Sequence, residues 1–456
     1  MNENNVEDVQ TVNSATFVLA CKKAEVVFWV RRASGFPIVQ ETVLRLVTTM
    51  DSLQVDAVRE FFGFSAKEFF IVLDPLLKSG YLVLQQGMLG VTAAGRKLFN
   101  DSSSGKPAIS TSTQEKRLLH VDRVCNLPVG RDGRMTNYIR SGLLPLFLQP
   151  PEEAYSDQGD SHERLKESFS ANFGLFVEDK ELELHKISLC RTLDEFLMPV
   201  DVVVTIENGK RASTFVGMID DSPGRDIRNN LREGLLGHLR NCHESGDAGT
   251  CAKYFEEKVG KNVFGNWVNG QNVAWLKLFE KGFSASPDSS GTQLVVGASF
   301  LGYGGRIISE WADTLAKRVG SGDLDPIDIF WIKPNIENWG SSSLFVDYLG
   351  ELRRKIGQDA SDQVRTRLIS RQQGPAMKKF DRLFDEVSYI HCPDIPDPVE
   401  IVIVPHCGVL FLSHSSAPLN SPTCCPFGVA TLDTSVVESM GAIHTFIEST
   451  RIESTH

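Results

Sequence analysis

The chain has 456 residues, of which 41% are apolar and 23% are charged, and this composition is ordinary for a soluble globular protein. At roughly 100–200 residues per domain, the length predicts two to four domains. The formal net charge of -11 excludes the strongly basic composition of many non-specific nucleic-acid binders, although a local basic patch is compatible with it.

Cysteine usage and the first residues predict the compartment. Nine cysteines are scattered along the chain without a Cys-x-x-Cys pair, which is typical of free thiols in a reducing environment. Residues 1–14 are polar and acidic, without the pattern of a signal peptide, and no apolar run approaches the roughly 18 residues of a membrane span. We therefore expect a cytoplasmic protein with no membrane partner.

The first part of the chain predicts three helices followed by a hairpin. Residues 17–32 predict a strand or a short helix, and apolar residues at helical spacing follow. Ser65 and Glu68 form the sequence pattern of a capping box at the start of the third helix. The predicted elements are helices over 38–50, 53–63 and 65–78 and short strands over 81–84 and 89–92.

This order, with the ending GYLVLQQGMLGVTAAGRKLF, resembles the common bacterial winged-helix form over residues 36–100. The resemblance implies a third helix that either reads DNA or serves packing and protein contact. Lys67 and Lys78 are the candidate nucleic-acid contacts on that helix, but Glu68 and Asp74 leave its exposed face nearly neutral. Both functions therefore stay open.

A stretch rich in Ser, Thr, Gly and Pro over 100–114 predicts a linker. Beyond it the sequence predicts helices mixed with a β-hairpin around Asn208-Gly209. The predicted domains are a winged-helix domain with an N-terminal extension (1–107), a mixed α+β middle region (115–285) and an α/β layer domain (290–456). The expected fold class is therefore multi-domain α/β.

The last part of the chain alternates between buried strands and amphipathic helices, which is typical of a sheet with helices on its faces. Predicted strands cover 292–300, 327–335, 387–393, 400–405, 408–416 and 427–433. Predicted helices cover 304–319, 342–357, 362–370, 375–386 and 434–449.

The order of elements over about 290–450, with the hairpin VEIVIVPHCGVLFLSHSS (399–416), resembles one half of the phospholipase D-like nuclease fold. That resemblance implies a His-x-Lys motif, an Asp separated from the Lys by four residues, and a hydroxyl-rich turn. Pro398, Glu400 and Pro405 fall at the three catalytic positions, and residues 413–416 fall at the turn. No His-x-Lys occurs anywhere in the sequence, so the resemblance implies an inactive relative.

The combined layout resembles proteins of bacterial anti-phage defence systems, which implies a non-catalytic DNA- or protein-binding subunit beside a helicase or ATPase. Two alternatives remain. One is an active nuclease or phosphodiesterase with an unconventional or metal-assisted site. The other is a winged-helix transcriptional regulator.

Two further groups of residues are candidate sites. Arg306, after a glycine-rich turn, is a candidate phosphate contact, and Lys333 lies between Trp331 and Trp339, which could stack on a base or simply pack. Buried cysteines are common in ordinary cores, so we expect no cofactor, with zinc as the alternative. The candidate metal ligands are His406, Cys407, His414, Cys424 and Cys425.

Overall fold

The computed structural model describes residues 9–100, 107–129, 146–147, 160–207, 210–217, 219–220, 228–241, 246–284, 287–336, 338–360, 363–371, 380–390, 394–418 and 421–441. Within these ranges the chain combines helices with several sheets, consistent with the predicted multi-domain α/β class. No helix in these ranges is long and apolar enough to cross a membrane.

The strands are β1 (Val9–Gly35), β2 (Ser52–Gln54), β3 (Leu82–Gln85), β4 (Met88–Val91), β5 (Ala108–Asp122), β6 (Leu146–Phe147), β7 (Leu182–Glu207), β8 (Arg211–Val216), β9 (Val268–Asn269), β10 (Asn272–Val273), β11 (Gln293–Val296), β12 (Ile327–Ile332), β13 (Val364–Ser370), β14 (Glu386–Tyr389), β15 (Val399–Val404), β16 (Gly408–Ser413) and β17 (Phe427–Thr431). The helices are α1 (Ile38–Met50), α2 (Val55–Phe61), α3 (Ala66–Lys78), α4 (Ala93–Asn100), α5 (Asp160–Ala171), α6 (Phe173–Phe176), α7 (Asn229–Asn241), α8 (Ala248–Val259), α9 (Trp275–Ser284), α10 (Gly302–Gly320), α11 (Ser343–Ala360) and α12 (Thr434–Gly441).

The three helices and hairpin predicted for residues 38–92 are present as α1, α2, α3, β3 and β4, and β2 adds a third strand. The capping box also forms, because the backbone N–H of Glu68 donates to Ser65 Oγ and that of Ser65 donates to the Glu68 carboxylate. Gln86 and Gly87 both have positive φ, which suits the tight turn between β3 and β4. We call residues 38–100 the helix–hairpin unit.

A long, mainly antiparallel sheet, ordered β5-β1-β7-β8 with β6 pairing in parallel with β1, joins distant parts of the chain. The 27-residue β1 pairs with β5 along its second half and with β7 along nearly its whole length. The predicted linker over 100–114 is wrong from Ala108 onward, where the chain forms β5. The Ser/Thr alternation there lacks apolar residues, but it fits a pleated strand and gains a hydrogen-bond ladder from β1. The predicted turn at Asn208-Gly209 lies outside the described residues, and β7 and β8 pair on either side of it.

The C-terminal sheet has seven strands in the order β11-β17-β16-β15-β12-β13-β14. The predicted helix over 362–370 is wrong, because this segment is β13, which pairs in parallel with β12 and β14. Its ladder and the burial of Leu368 and Ile369 override the weak helical spacing. Of the predicted helix over 375–386, only residues from 380 are described, and they form a short turn that leads into β14.

Helices cover both faces of this sheet. One face packs against α10 and α11 through Trp311 and Phe345, and the other packs against α8, α9 and α12 through Phe255 and Phe279. Every residue of β15 and β16 is consequently buried, as expected for strands between two helical layers.

The packing between β16 and β17 generates a stability prediction. An added Cβ at Gly428 would overlap the carbonyl group of Phe411, whereas one at Gly350, on α11, meets nothing. Gly428→Ala should therefore lower the free energy of unfolding by about 2 kcal/mol or more. The matched Gly350→Ala should raise it by about 0.5–1 kcal/mol. Urea unfolding followed by tryptophan fluorescence measures both, and equal effects of the two variants would contradict this packing.

Candidate functional site

The candidate site lies at the edge of the seven-stranded sheet where β11, β12 and β16 end and β15 begins. Glu400 is the second residue of β15 and is only 1% exposed. An ionised carboxylate in an apolar interior is very unfavourable unless hydrogen bonds and an opposite charge compensate it. The strand that carries Glu400 therefore depends on its neighbours for suitable donors.

Four side chains supply these donors, two to each carboxylate oxygen. Oε1 of Glu400 accepts from Ser299 Oγ at 2.5 Å and from Trp331 Nε1 at 2.8 Å. Oε2 accepts from Trp339 Nε1 at 3.1 Å and lies 2.6 Å from His414 Nε2. The donors come from the chain after β11, from β12, from the loop after β12 and from the end of β16. One carboxylate thus links four segments of the sheet edge.

The two tryptophans that bind Glu400 are also packed as core residues. Trp331 is fully buried, and Trp339 is 6% exposed. Both contact Phe345 of α11, with ring centroids 6.2 and 5.2 Å away. Of the two uses considered for these tryptophans, packing is therefore confirmed.

His414 is the cationic partner of Glu400. Burial alone would lower the pKa of His414, but contacts with Cys424 and Glu400 outweigh it and raise the pKa to about 9. Burial alone would raise the pKa of Glu400, but the hydrogen bond and charge of His414, together with the hydrogen bonds from Ser299 and Trp331, outweigh it and lower this pKa. At neutral pH the pair is therefore imidazolium and carboxylate, with Nδ1 of His414 3.9 Å from Cys424 Sγ.

The Glu400–His414 pair has few free lone pairs with which to react. A carboxylate has about four lone-pair positions, and all four of those on Glu400 face a donor. A protonated imidazole has no lone pair with which to attack phosphorus or bind a metal. The pair is therefore suited to holding strands together, and neither member is available as a nucleophile or general base.

Two hydroxyl groups at the turn after β16 are also engaged in an internal hydrogen bond. Oγ of Ser413 and Oγ of Ser415 lie 2.6 Å apart and satisfy each other. Gly246, just before α8, lies so close that an added Cβ would be 2.6 Å from Pro398 Cγ and 3.2 Å from Ser415 Cβ. Gly246 thus covers Pro398 and Ser415.

The N-terminal strand β1 covers the same end of the sheet from another side. Asn13 Nδ2 donates to the carbonyl oxygen of Cys424 at 2.8 Å. The backbone N–H of Thr16 donates to the carbonyl of Ser341 at 2.8 Å, and its Oγ1 accepts from the N–H of Ser343 at 2.7 Å. Among the described residues, a cavity of about 60 Å³ lies beside Asn13 and His414. Binding pockets for small molecules are usually about 300–1,000 Å³, so this cavity does not accommodate a nucleotide.

The four predicted phosphate contacts are spread over three parts of the fold. Lys67 and Lys78 are exposed on α3, and Lys78 Nζ lies 2.7 Å from Asp74. Arg306, on the first turns of α10, stacks over the ring of Tyr303 at 4.8 Å. Lys333 follows β12, and its Nζ donates to the carbonyls of residues 334 and 336. Their assignment to nucleic acid remains a prediction.

The five predicted metal ligands are only partly brought together. His406 and Cys407 lie in the turn before β16, at the opposite end of that strand from His414. Cys424 lies near His414, whereas Cys425 is fully buried in the core between the sheet and α8. Within the described part of the chain, no group of three His, Cys, Asp or Glu side chains is arranged to hold a metal. Zinc binding remains a prediction.

The sequence predicts that Glu400 stands where the resemblance expects the lysine of the His-x-Lys motif. It does not predict the side chains that donate hydrogen bonds to Glu400. Ser299, Trp331 and Trp339 were not connected with it, and the closure by β1 was not foreseen. One signal was available: Glu400 interrupts the apolar run VEIVIV, and a charge in a strand buried on both faces requires a compensating charge and donors.

Comparison with known proteins does not identify a family. No protein-family model matches the chain, and no curated protein sequence matches it. Among solved structures, it is similar to TrmBL2, an archaeal chromatin protein with a novel mode of DNA binding, at 9% identity and a TM-score of 0.20 over 91% of this chain and 93% of that one. It is also similar to NucT from Helicobacter pylori, at 12% identity and a TM-score of 0.21 over 35% of this chain and 95% of that one. These TM-scores are too low to support an assignment of fold or function.

The ion pair predicts a specific pH dependence of stability. The pKa of His414 is about 9 in the folded protein and near its ordinary value of 6.5 when unfolded, so its contribution is complete below pH 6.5 and lost as the pH rises toward 9. The lowered pKa of Glu400 means that its contribution is lost only in acid, below its ordinary value. From pH 6 to pH 9 the free energy of unfolding of the wild type should fall by roughly 1–3 kcal/mol more than that of His414→Gln. Urea unfolding at both values tests this, and an identical loss in the two proteins would contradict it.

Proposed function

We propose that this protein is a non-catalytic binding subunit whose C-terminal sheet is a phospholipase D-like half without phosphodiesterase chemistry. The observation that carries the proposal is the Glu400–His414 ion pair. It occupies the position at which the family resemblance expects a phosphate-binding lysine, and it is buried and fully hydrogen-bonded. The hairpin of β15 and β16 then serves as the centre of a core.

The chemical requirements of phosphodiester cleavage support this proposal. A phospholipase D-like reaction needs a nucleophile on phosphorus and a cation near the phosphoryl oxygens. Pro398 carries no nucleophilic group, and the Glu400 carboxylate repels a phosphate. Pro405 cannot act as an acid. An unconventional nuclease site beside His414 is disfavoured by the cavity of only about 60 Å³ there.

The binding function is best placed on the helix–hairpin unit, and the properties of α3 favour protein contact over DNA reading. Helices that read DNA usually direct Arg, Lys, Asn or Gln to base edges. The outward face of α3 instead exposes Phe70 and Ile71, which are 62% and 63% exposed. The proposed setting, a bacterial anti-phage or DNA-processing assembly with a helicase or ATPase, rests on the resemblance of the layout alone.

A hydrolysis assay tests the proposal. Purified protein should not cleave single-stranded DNA, double-stranded DNA or bis(p-nitrophenyl) phosphate, with magnesium, with zinc or with a chelator. Glu400→Gln should lower the free energy of unfolding by about 3 kcal/mol, because it leaves the imidazolium of His414 without its counter-charge. The same variant should show the same background hydrolysis as the wild type.

His414→Gln, purified in parallel, controls for contaminating nucleases. Cleavage that scales with wild-type protein and disappears in a folded His414→Gln variant would overturn the non-catalytic assignment. Chelator-sensitive cleavage that persists in both variants and follows the protein peak through a second chromatographic step would place a metal-assisted site elsewhere in the chain and overturn it equally.

A further inference from the structure

The helix–hairpin unit exposes an unusual amount of apolar surface. Half of the large apolar side chains that the described residues expose lie between residues 38 and 88. Single exposed apolar side chains are normal on a protein surface, but a concentration of them marks an interaction site. The most exposed pair on a single helix face of this unit is Phe70 and Ile71, near the middle of α3.

The charges on the same face of α3 have a symmetric arrangement around this pair. Lys67 lies one turn before Phe70, and Asp74 lies one turn after it. Residues three and four apart on a helix are neighbours, so these four side chains form one continuous patch. Asp74 also pairs with Lys78 at 2.7 Å, one turn further on. The patch thus has an apolar centre with the cation Lys67 at one end and Asp74, in its ion pair with Lys78, at the other.

We propose that this face of α3 binds the same face of a second copy of the chain, in an antiparallel arrangement about a two-fold axis. An axis that passes between residues 70 and 71 places Phe70 of one copy against Ile71 of the other. The same axis places Lys67 against Asp74 of the second copy, and the reverse, because both pairs are centred on the same point of the helix. An interface of this kind is isologous, with one patch complementary to itself.

Charge complementarity is the reason for choosing a second copy as the occupant. Two identical patches in this register bury both apolar pairs and make two ion pairs with no like charges opposed. Aligned in parallel, the same helices would oppose Lys67 with Lys67 and Asp74 with Asp74, which is repulsive. The inference rests on the proposed function only in treating this face as a protein-contact surface.

Sedimentation velocity on the full chain, over a wide range of protein concentration, tests the proposal. The wild type should dimerise reversibly, and Ile71→Asp should weaken dimerisation by about a hundredfold or more, because the substituted side chain is buried in both copies. Leu276→Asp is the matched control, since Leu276 on α9 is 62% exposed, nearly the same as Ile71. This control should dimerise like the wild type.

A charge reversal tests the register independently. Lys67→Glu and Asp74→Lys should each weaken dimerisation by about tenfold, and the double variant should recover most of the lost affinity. Circular dichroism should show unchanged helix content in all variants. A monomeric wild type, a dimer that survives Ile71→Asp, or a double variant as weak as the single ones would overturn the self-association.

The outcome also separates this inference from the proposed function. A monomeric wild type that binds labelled double-stranded DNA, with binding lost in Lys67→Glu and retained in Leu276→Asp, would overturn both the dimer and the protein-contact role of α3. The non-catalytic assignment would not be affected by this result, because the hydrolysis assay tests it at a different part of the molecule.

Discussion

The structure of the C-terminal sheet depends on how one buried carboxylate is compensated. Glu400 lies in a strand covered by helices on both faces, where an isolated charge would be strongly destabilising. Its four donors fix the position of the chain after β11, of β12 and the loop beyond it, and of the end of β16. Because breaking one member of such a network leaves others unsatisfied, the network specifies a single arrangement of these segments.

The same interaction explains why this sheet edge is closed. With Glu400 and His414 paired, Trp331 and Trp339 pack around the carboxylate and donate to it. Strand β1 and the segment before α8 then cover what remains, through the Asn13 hydrogen bond and the close approach of Gly246. The exposed large apolar side chains are instead concentrated on the helix–hairpin unit, which carries half of those in the described residues.

Much of this architecture could be predicted from local sequence patterns. The helices and hairpin of residues 38–92 have clear periodicity and a capping box, and the β15–β16 hairpin is a pair of apolar runs around a tight turn. The failures are non-local. Strand β13 is held by parallel pairing with β12 and β14, and β5 by its pairing with β1, so neither is specified by its own residues. The partners of Glu400 come from segments up to about a hundred residues away, and no local pattern connects them.

The central claim is that Glu400 and His414 form a permanent internal ion pair that closes this end of the sheet. Nitrogen NMR of the His414 imidazole tests this most directly. The account predicts that both ring nitrogens are protonated at pH 7.5 and that their shifts do not change when tungstate or a phosphodiester is added. A neutral imidazole that titrates near its ordinary pKa and shifts on addition of either compound would contradict it.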